Sequence, residues 1–188
     1  HSYEPTPLDI LKIQECDIFI YIGGEDEVWV DKILDSIDTE DKKIVKLIDT
    51  VELLEEEAIE GSKGHEHIHS EEDEDCHECE EEHHHEHDGH EHGYDEHIWT
   101  TPHNAIKMTQ AISEAFISKD SGNEAVYSKN TDMYINRLER LDEDFREMRE
   151  NASDNLIVIG DRFPFRYLSA EYDLDYYAAF SVCSSESE

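Results

Sequence analysis

Asp17-Ile18-Phe19-Ile20-Tyr21-Ile22-Gly23-Gly24 decides the fold. A short run of β-branched and aromatic residues closed by two glycines reads as a strand buried on both faces, as in a parallel sheet. Ahead of it, Thr6-Pro7-Leu8-Asp9 opens a helix. Thr6 caps it, Pro7 suits its first turn and Asp9 favours its positive end. Leu8, Leu11 and Ile13 give that helix an apolar side up to about Glu15. Downstream, residues 28–37 read as a helix and 43–48 as a second strand. Strand, helix and strand at this spacing make a βαβ unit, so the class is α/β with a parallel sheet.

Further out, Thr101-Pro102 begins a helix through Ala105, Met108, Ile112 and Phe116, spaced by three or four. Gly122 and Asn123 break it. Residues 128–151 form one long amphipathic helix, with Met133, Ile135, Leu138, Leu141, Phe145 and Met148 near one stripe. Residues 156–159 read as a strand ending at Gly160-Asp161, 163–172 as helical despite Pro164, and 175–180 as a final strand. Three parts are therefore expected. Residues 1–118 make an N-terminal α/β lobe containing a disordered acidic His-rich loop at about 55–94. Residues 119–152 make a long connecting helix, and 153–188 the start of a second α/β lobe. The second βαβ unit has no room to finish, as expected of a truncated chain. The sequence starts at His1 with no signal peptide, so its start reads as processed or trimmed.

The chain has 188 residues and a formal net charge of −35, from 50 acidic against 15 basic residues. That balance excludes a phosphate-binding footprint of Lys and Arg, and with it nucleic acid. It also argues against an anionic membrane surface, and no apolar run approaches the roughly 20 residues of a membrane span. A strongly negative field instead raises the local concentration of soluble cations. Cys16, Cys76, Cys79 and Cys183 are too few for a disulfide scaffold.

Metal-binding chemistry is concentrated in one tract. His65, His67, His69, His77, His83, His84, His85, His87, His90 and His92 are ten of the 13 histidines, interleaved with Glu and Asp. Neutral imidazole suits zinc, copper and nickel, and neighbouring carboxylates add charge and further ligands. Cys76 and Cys79 flank His77 and read as thiolate ligands, the alternative being an incidental pair. A terminal expression tag would not be interleaved with acids and cysteines, so the tract reads as a set of weak, multiple metal sites. His97, in Asp95-Glu96-His97-Ile98-Trp99-Thr100-Thr101-Pro102, is a ligand, a capping residue or one more tract histidine. His1, in His1-Ser2-Tyr3-Glu4-Pro5-Thr6-Pro7, is a ligand or simply terminal.

Those two segments resemble, in order, two motifs of the cluster A-I (zinc/manganese adhesin-type) metal-binding lipoproteins of ABC importers. One motif is a histidine followed by Ser/Asp-Tyr/Phe-Glu-Pro-Thr-Pro, a helix and an apolar strand. The other is Asp-Pro/Glu-His-Ile/Ala-Trp, a turn with Pro, and Asn-Ala, matched from Asp95 to Ala105. The resemblance covers nearly the whole chain, and a His-rich insertion before the second motif is similar to the zinc branch. It implies an extracytoplasmic solute-binding protein, at the cell surface as a lipoprotein or in the periplasm. Such a protein captures zinc (manganese less well) and passes it to a membrane permease without a catalytic step. A monomer is expected.

The resemblance further implies His1 and His97 as metal ligands. The family's third ligand falls at Gly160 or Arg162, neither of which binds metal. Asp161 is the nearest donor, either a replacement ligand or a residue that caps the next helix or pairs with Arg162. The fourth family ligand would lie beyond Glu188, and an initial strand, helix and lipid-anchor cysteine before His1. A His-rich metal buffer without a transport role is the alternative function. A zinc hydrolase would need an open site with a general base, and no HExxH or comparable element is present.

Overall fold

In the computed structural model, the structure describes residues 3–56 and 93–180, leaving aside the side chains of Asp26 and Phe180. His1, Cys183 and the tract residues His65, His67, His69, Cys76, His77, Cys79, His83, His84, His85, His87, His90 and His92 lie outside the described residues.

Helix α1, Pro7–Glu15, begins as its sequence dictates, with a reciprocal cap. Thr6 donates its N–H (3.0 Å) and its hydroxyl (2.6 Å) to Asp9 Oδ2, while Asp9 N–H returns to Thr6 Oγ1 at 3.4 Å. The Tyr3 hydroxyl adds a third donor at 2.8 Å. Hydrogen bonds from Thr6 and then Tyr3 lower the Asp9 carboxyl to about 2. The expected apolar side is narrower than the pattern suggested: Ile13 is buried, but Leu8 and Leu11 are exposed.

Strand β1, Ile18–Tyr21, runs parallel to β2, Lys43–Lys46, with Ile18 opposite Lys43 and Tyr21 opposite Lys46. Between them, a single turn at Glu25–Glu27 leads into α2, Val28–Leu34, which buries Val30 and Ile33. Both the strand and the helix are shorter than expected. After Lys46 the chain turns tightly through Leu47–Thr50 rather than extending to Ile48, and buries Leu47 and Ile48 in that turn. The first βαβ unit is thus as expected, with trimmed ends.

Helix α3, Pro102–Lys119, is capped by Thr101, whose hydroxyl accepts the Asn104 N–H. Helix α4, Glu124–Asn151, starts four residues earlier than residue 128, because the Ser121–Asn123 turn completes the reversal by itself. Its inward face carries Ile135, Leu138, Asp142 and Phe145, whereas Met133, Leu141 and Met148 point outward. The expected apolar stripe is therefore split, and polar contacts hold much of the helix. Thr131 donates to Ser113 at 2.7 Å, and near its C-terminal end Arg146 reaches Glu171 at 2.8 Å. Tyr172 donates to Asp142 at 2.8 Å and stacks on Phe145, and burial pushes its phenol p*K*a upward.

Strand β3, Leu156–Arg162, pairs in parallel with β4, Asp175–Phe180, around α5, Arg166–Glu171. Two expectations change here. The second βαβ unit does close, since β4 completes a parallel pair with β3. The helix does not begin at Phe163, where the following Pro164 disfavours helical backbone; α5 begins at Arg166. Strand β3 also continues through Gly160-Asp161, with a register irregularity between Ile159 and Arg162.

The main core joins Val45, Leu47, Ile48, Ile98, Met108, Ala115 and, from α5, Tyr167. A smaller one centres on Phe163 and Ala178. Phe163 is 1% exposed and stacks on Tyr176 at 3.8 Å between ring centroids. Phe163→Ala is expected to lower stability by about 3–5 kcal/mol, read as a shifted urea midpoint with an unchanged slope.

Candidate metal centre

The Asp95-Glu96-His97 segment emerges where two chain stems meet. Glu55 and Tyr94 form an antiparallel bridge. Glu56 N–H donates to Gly93 O at 2.8 Å, and Asp95 N–H to Leu54 O at 2.9 Å. Beyond His97 the chain makes one tight turn, Ile98–Thr100, closed by the Thr100 hydroxyl donating to His97 O at 2.8 Å. Ile98 is fully buried and anchors that turn in the main core. Thr101 then caps α3. The histidine is held from both sides by backbone geometry.

Its side chain is held by Asp95. The Asp95 carboxylate has no exposed surface, and His97 is 7% exposed. Asp95 Oδ1 accepts the His97 N–H at 2.8 Å and lies 2.9 Å from Nδ1 of the ring. A carboxylate accepting from Nδ1–H fixes the tautomer of a neutral imidazole, so Nε2 carries the lone pair. Trp99 packs tilted against the ring at 5.4 Å. The hydrogen bond from Asp95 raises the His97 p*K*a above its ordinary 6.5 against the opposing effect of burial, with the charges of Asp95, Glu96 and Glu56 adding to the rise.

The loop after β1 borders this segment. Gly23 has φ +96°, a left-handed conformation suited to glycine. A Cβ on Gly24 would lie 2.0 Å from Glu96 Cδ, so only glycine lets the Glu96 side chain lie there. The second of the glycines that closed the strand in the sequence therefore also makes room for Glu96, the residue before the histidine.

Of the residues singled out from sequence, the structure places His97 in a buried, carboxylate-oriented position. Asp161 is exposed on β3, and its Oδ1 accepts the Arg162 N–H at 2.8 Å. It neither caps α5 nor, among the described residues, joins His97 in a group of three or more His, Cys, Asp or Glu able to hold a metal. Two residues of the site carried no role in the sequence reading. Asp95 was legible only as the first residue of the second motif. Tyr167 left no local signal, because it reaches the site through tertiary packing, its hydroxyl donating to Asp95 O at 2.8 Å.

The pattern of the family described as ZnuA, zinc-uptake complex component A periplasmic, matches residues 1–188. The chain is 30% identical over 174 residues to the zinc-binding lipoprotein AdcA of Streptococcus pneumoniae, covering 93% of this chain and 31% of that one. It is 31% identical over 174 residues to the high-affinity zinc uptake system protein ZnuA of Bacillus subtilis, covering 93% and 48%. The chain thus spans about a third to a half of the length of these curated relatives. The crystal structure of Zn(II)-bound AdcA from Streptococcus pneumoniae superposes with TM-score 0.69 at 27% identity, over 98% of this chain and 32% of that one.

The Asp95–His97 pair has a measurable pH signature. Since the folded p*K*a of His97 lies above 6.5, the attraction adds stability that is fully present below 6.5 and is lost as pH rises through the folded value. NMR titration of the metal-free protein is expected to show that raised p*K*a, and Asp95→Asn to lower it. An unmoved ring titration in the variant would contradict the pairing.

Proposed function

This chain belongs to the family of ZnuA, the periplasmic component A of a zinc-uptake complex, and from that membership we propose that it captures zinc outside the cytoplasm for a membrane permease of an ABC importer. The observation that carries the reading is His97, buried and oriented through Nδ1 by a fully buried carboxylate. This is the carboxylate–histidine arrangement that prepares Nε2 for a metal ion. In this reading zinc is the cargo, and binding and release take the place of any catalytic step.

His97 is the donor that the described residues support directly. His1 is proposed as the second imidazole, and two nitrogen ligands favour zinc over manganese. Asp161 is retained as a third donor, through Oδ2, since the Arg162 N–H engages only Oδ1. The acidic tract, with its histidines and Cys76 and Cys79, is proposed as an accessory set of weaker sites that collects ions. The protein is proposed to act as a monomer.

Proton competition follows from the site. Zinc requires neutral imidazole, so affinity at His97 should fall as pH drops through its raised p*K*a. Calorimetric titration separates transport-type capture from buffering. Because Glu56 and Gly93 are hydrogen-bonded at 2.8 Å, residues 57–92 can be replaced by a short Gly-Ser link. That variant should keep the tightest zinc site and lose the weak ones. His97→Ala should do the reverse, weakening the tight site by more than the roughly 10–100-fold that loss of an outer partner costs. A His97→Ala variant with unchanged tight binding would favour the His-rich buffer instead.

A further inference from the structure

Tyr167 stands on α5, in the second α/β unit, yet its ring is 4% exposed and belongs to the main core beside Ile98 and Met108. Its hydroxyl donates to the backbone carbonyl of Asp95 at 2.8 Å and accepts the Leu54 N–H at 3.3 Å. Asp95 N–H in turn donates to Leu54 O at 2.9 Å. The three contacts join the two stems and α5 in one hydrogen-bonded ring. A phenylalanine would fill the same apolar volume, so packing alone does not account for the hydroxyl.

The carboxylate of Asp95 supplies the reason. Oδ1 makes both contacts to His97, whereas Oδ2 is buried with no hydrogen-bond partner among the described residues. The carboxylate is therefore oriented by its two Oδ1 contacts to His97 and by the placement of the Asp95 backbone that carries it. That backbone is held on its N–H by Leu54 and on its carbonyl by Tyr167.

We propose that Tyr167 is a positioning residue for His97: its hydroxyl fixes the Asp95 backbone, and through the Asp95 carboxylate it sets the angle at which the imidazole meets a divalent cation. The proposal rests on the reading of His97 as a metal ligand. It gives the second α/β unit a share in the first lobe's half of the site, independent of any ligand that the second unit itself donates.

The test is Tyr167→Phe in the full chain, with zinc titration followed at the ¹⁵N resonances of the His97 ring, assigned by difference from His97→Ala. Outer-partner losses cost roughly 10–100-fold in metal affinity, and for a residue one step further out the expected loss is about tenfold. The ring resonances of the zinc-free protein should also move. The effect should be less than additive with Asp95→Asn, since both changes act through one carboxylate. Leu138→Ala, a packing loss in α4, serves as the control: it should lower stability and leave ring resonances and affinity unchanged. If Tyr167→Phe behaves like that control, the proposal is overturned. If the His97 ring of the unaltered chain does not respond to zinc, the metal reading itself fails. The zinc-free resonances still decide positioning in that case: movement in Tyr167→Phe supports it, and unmoved resonances overturn it.

Discussion

A carboxylate taken wholly out of water is costly unless its charge is met within a few ångströms, and Asp95 sits under that constraint at the junction of both parts of the fold. His97 meets it through its backbone N–H and its ring. The histidine is thereby fixed by the same contact that makes the acid tolerable. Burial of Ile98 next in sequence and capping of α3 by Thr101 keep the segment from relaxing toward solvent. Site and core are consequently one structure here: loosening the turn would expose an apolar anchor and leave a buried charge uncompensated.

The second α/β unit is fastened from two sides. Along α4, Arg146 and Arg149 reach Glu171 and Asp173, and Tyr172 reaches Asp142. The ion pairs are solvent-exposed at least on one partner and contribute little individually. The stronger attachment is apolar, since Tyr167 brings its ring into the core formed by β2, α3 and the turn after His97. Among the described residues, two parallel β pairs that do not share a sheet are thus joined by Tyr167 in the core and, along α4, by polar contacts and the stacking of Tyr172 on Phe145.

Local chemistry was legible in the sequence, and long-range chemistry was not. The Thr6 cap, the β1 strand and the Thr101-Pro102 helix start depend on neighbours within a few positions, and each was readable from them; the return bond from Thr6 to Asp9 was not. Leu8, Leu11 and Met133 obey helical spacing yet face solvent, because periodicity says which residues share a face and not whether anything covers it. Strand β3 outran its expected end because Gly160-Asp161 looks like a turn, while pairing with β4 holds it extended across an irregularity. That irregularity is also where the family pattern could be aligned in two ways. His97 could be marked as a ligand from its motif, but its orientation depends on Asp95 burial and on a tyrosine 72 positions away from Asp95, which no local pattern encodes.

The bridge between Glu55 and Tyr94 has a consequence of another kind. With Glu56 and Gly93 already hydrogen-bonded to each other, the fold registers the chain between them as an excursion that starts and ends at one point. Lengthening a closed excursion is cheap, about 0.6 kcal/mol per doubling. Residues can therefore be gained, lost or exchanged there with little demand on the rest of the molecule. A scaffold built this way can vary that segment while Asp95 and His97, just beyond it, stay under the hold of their own contacts.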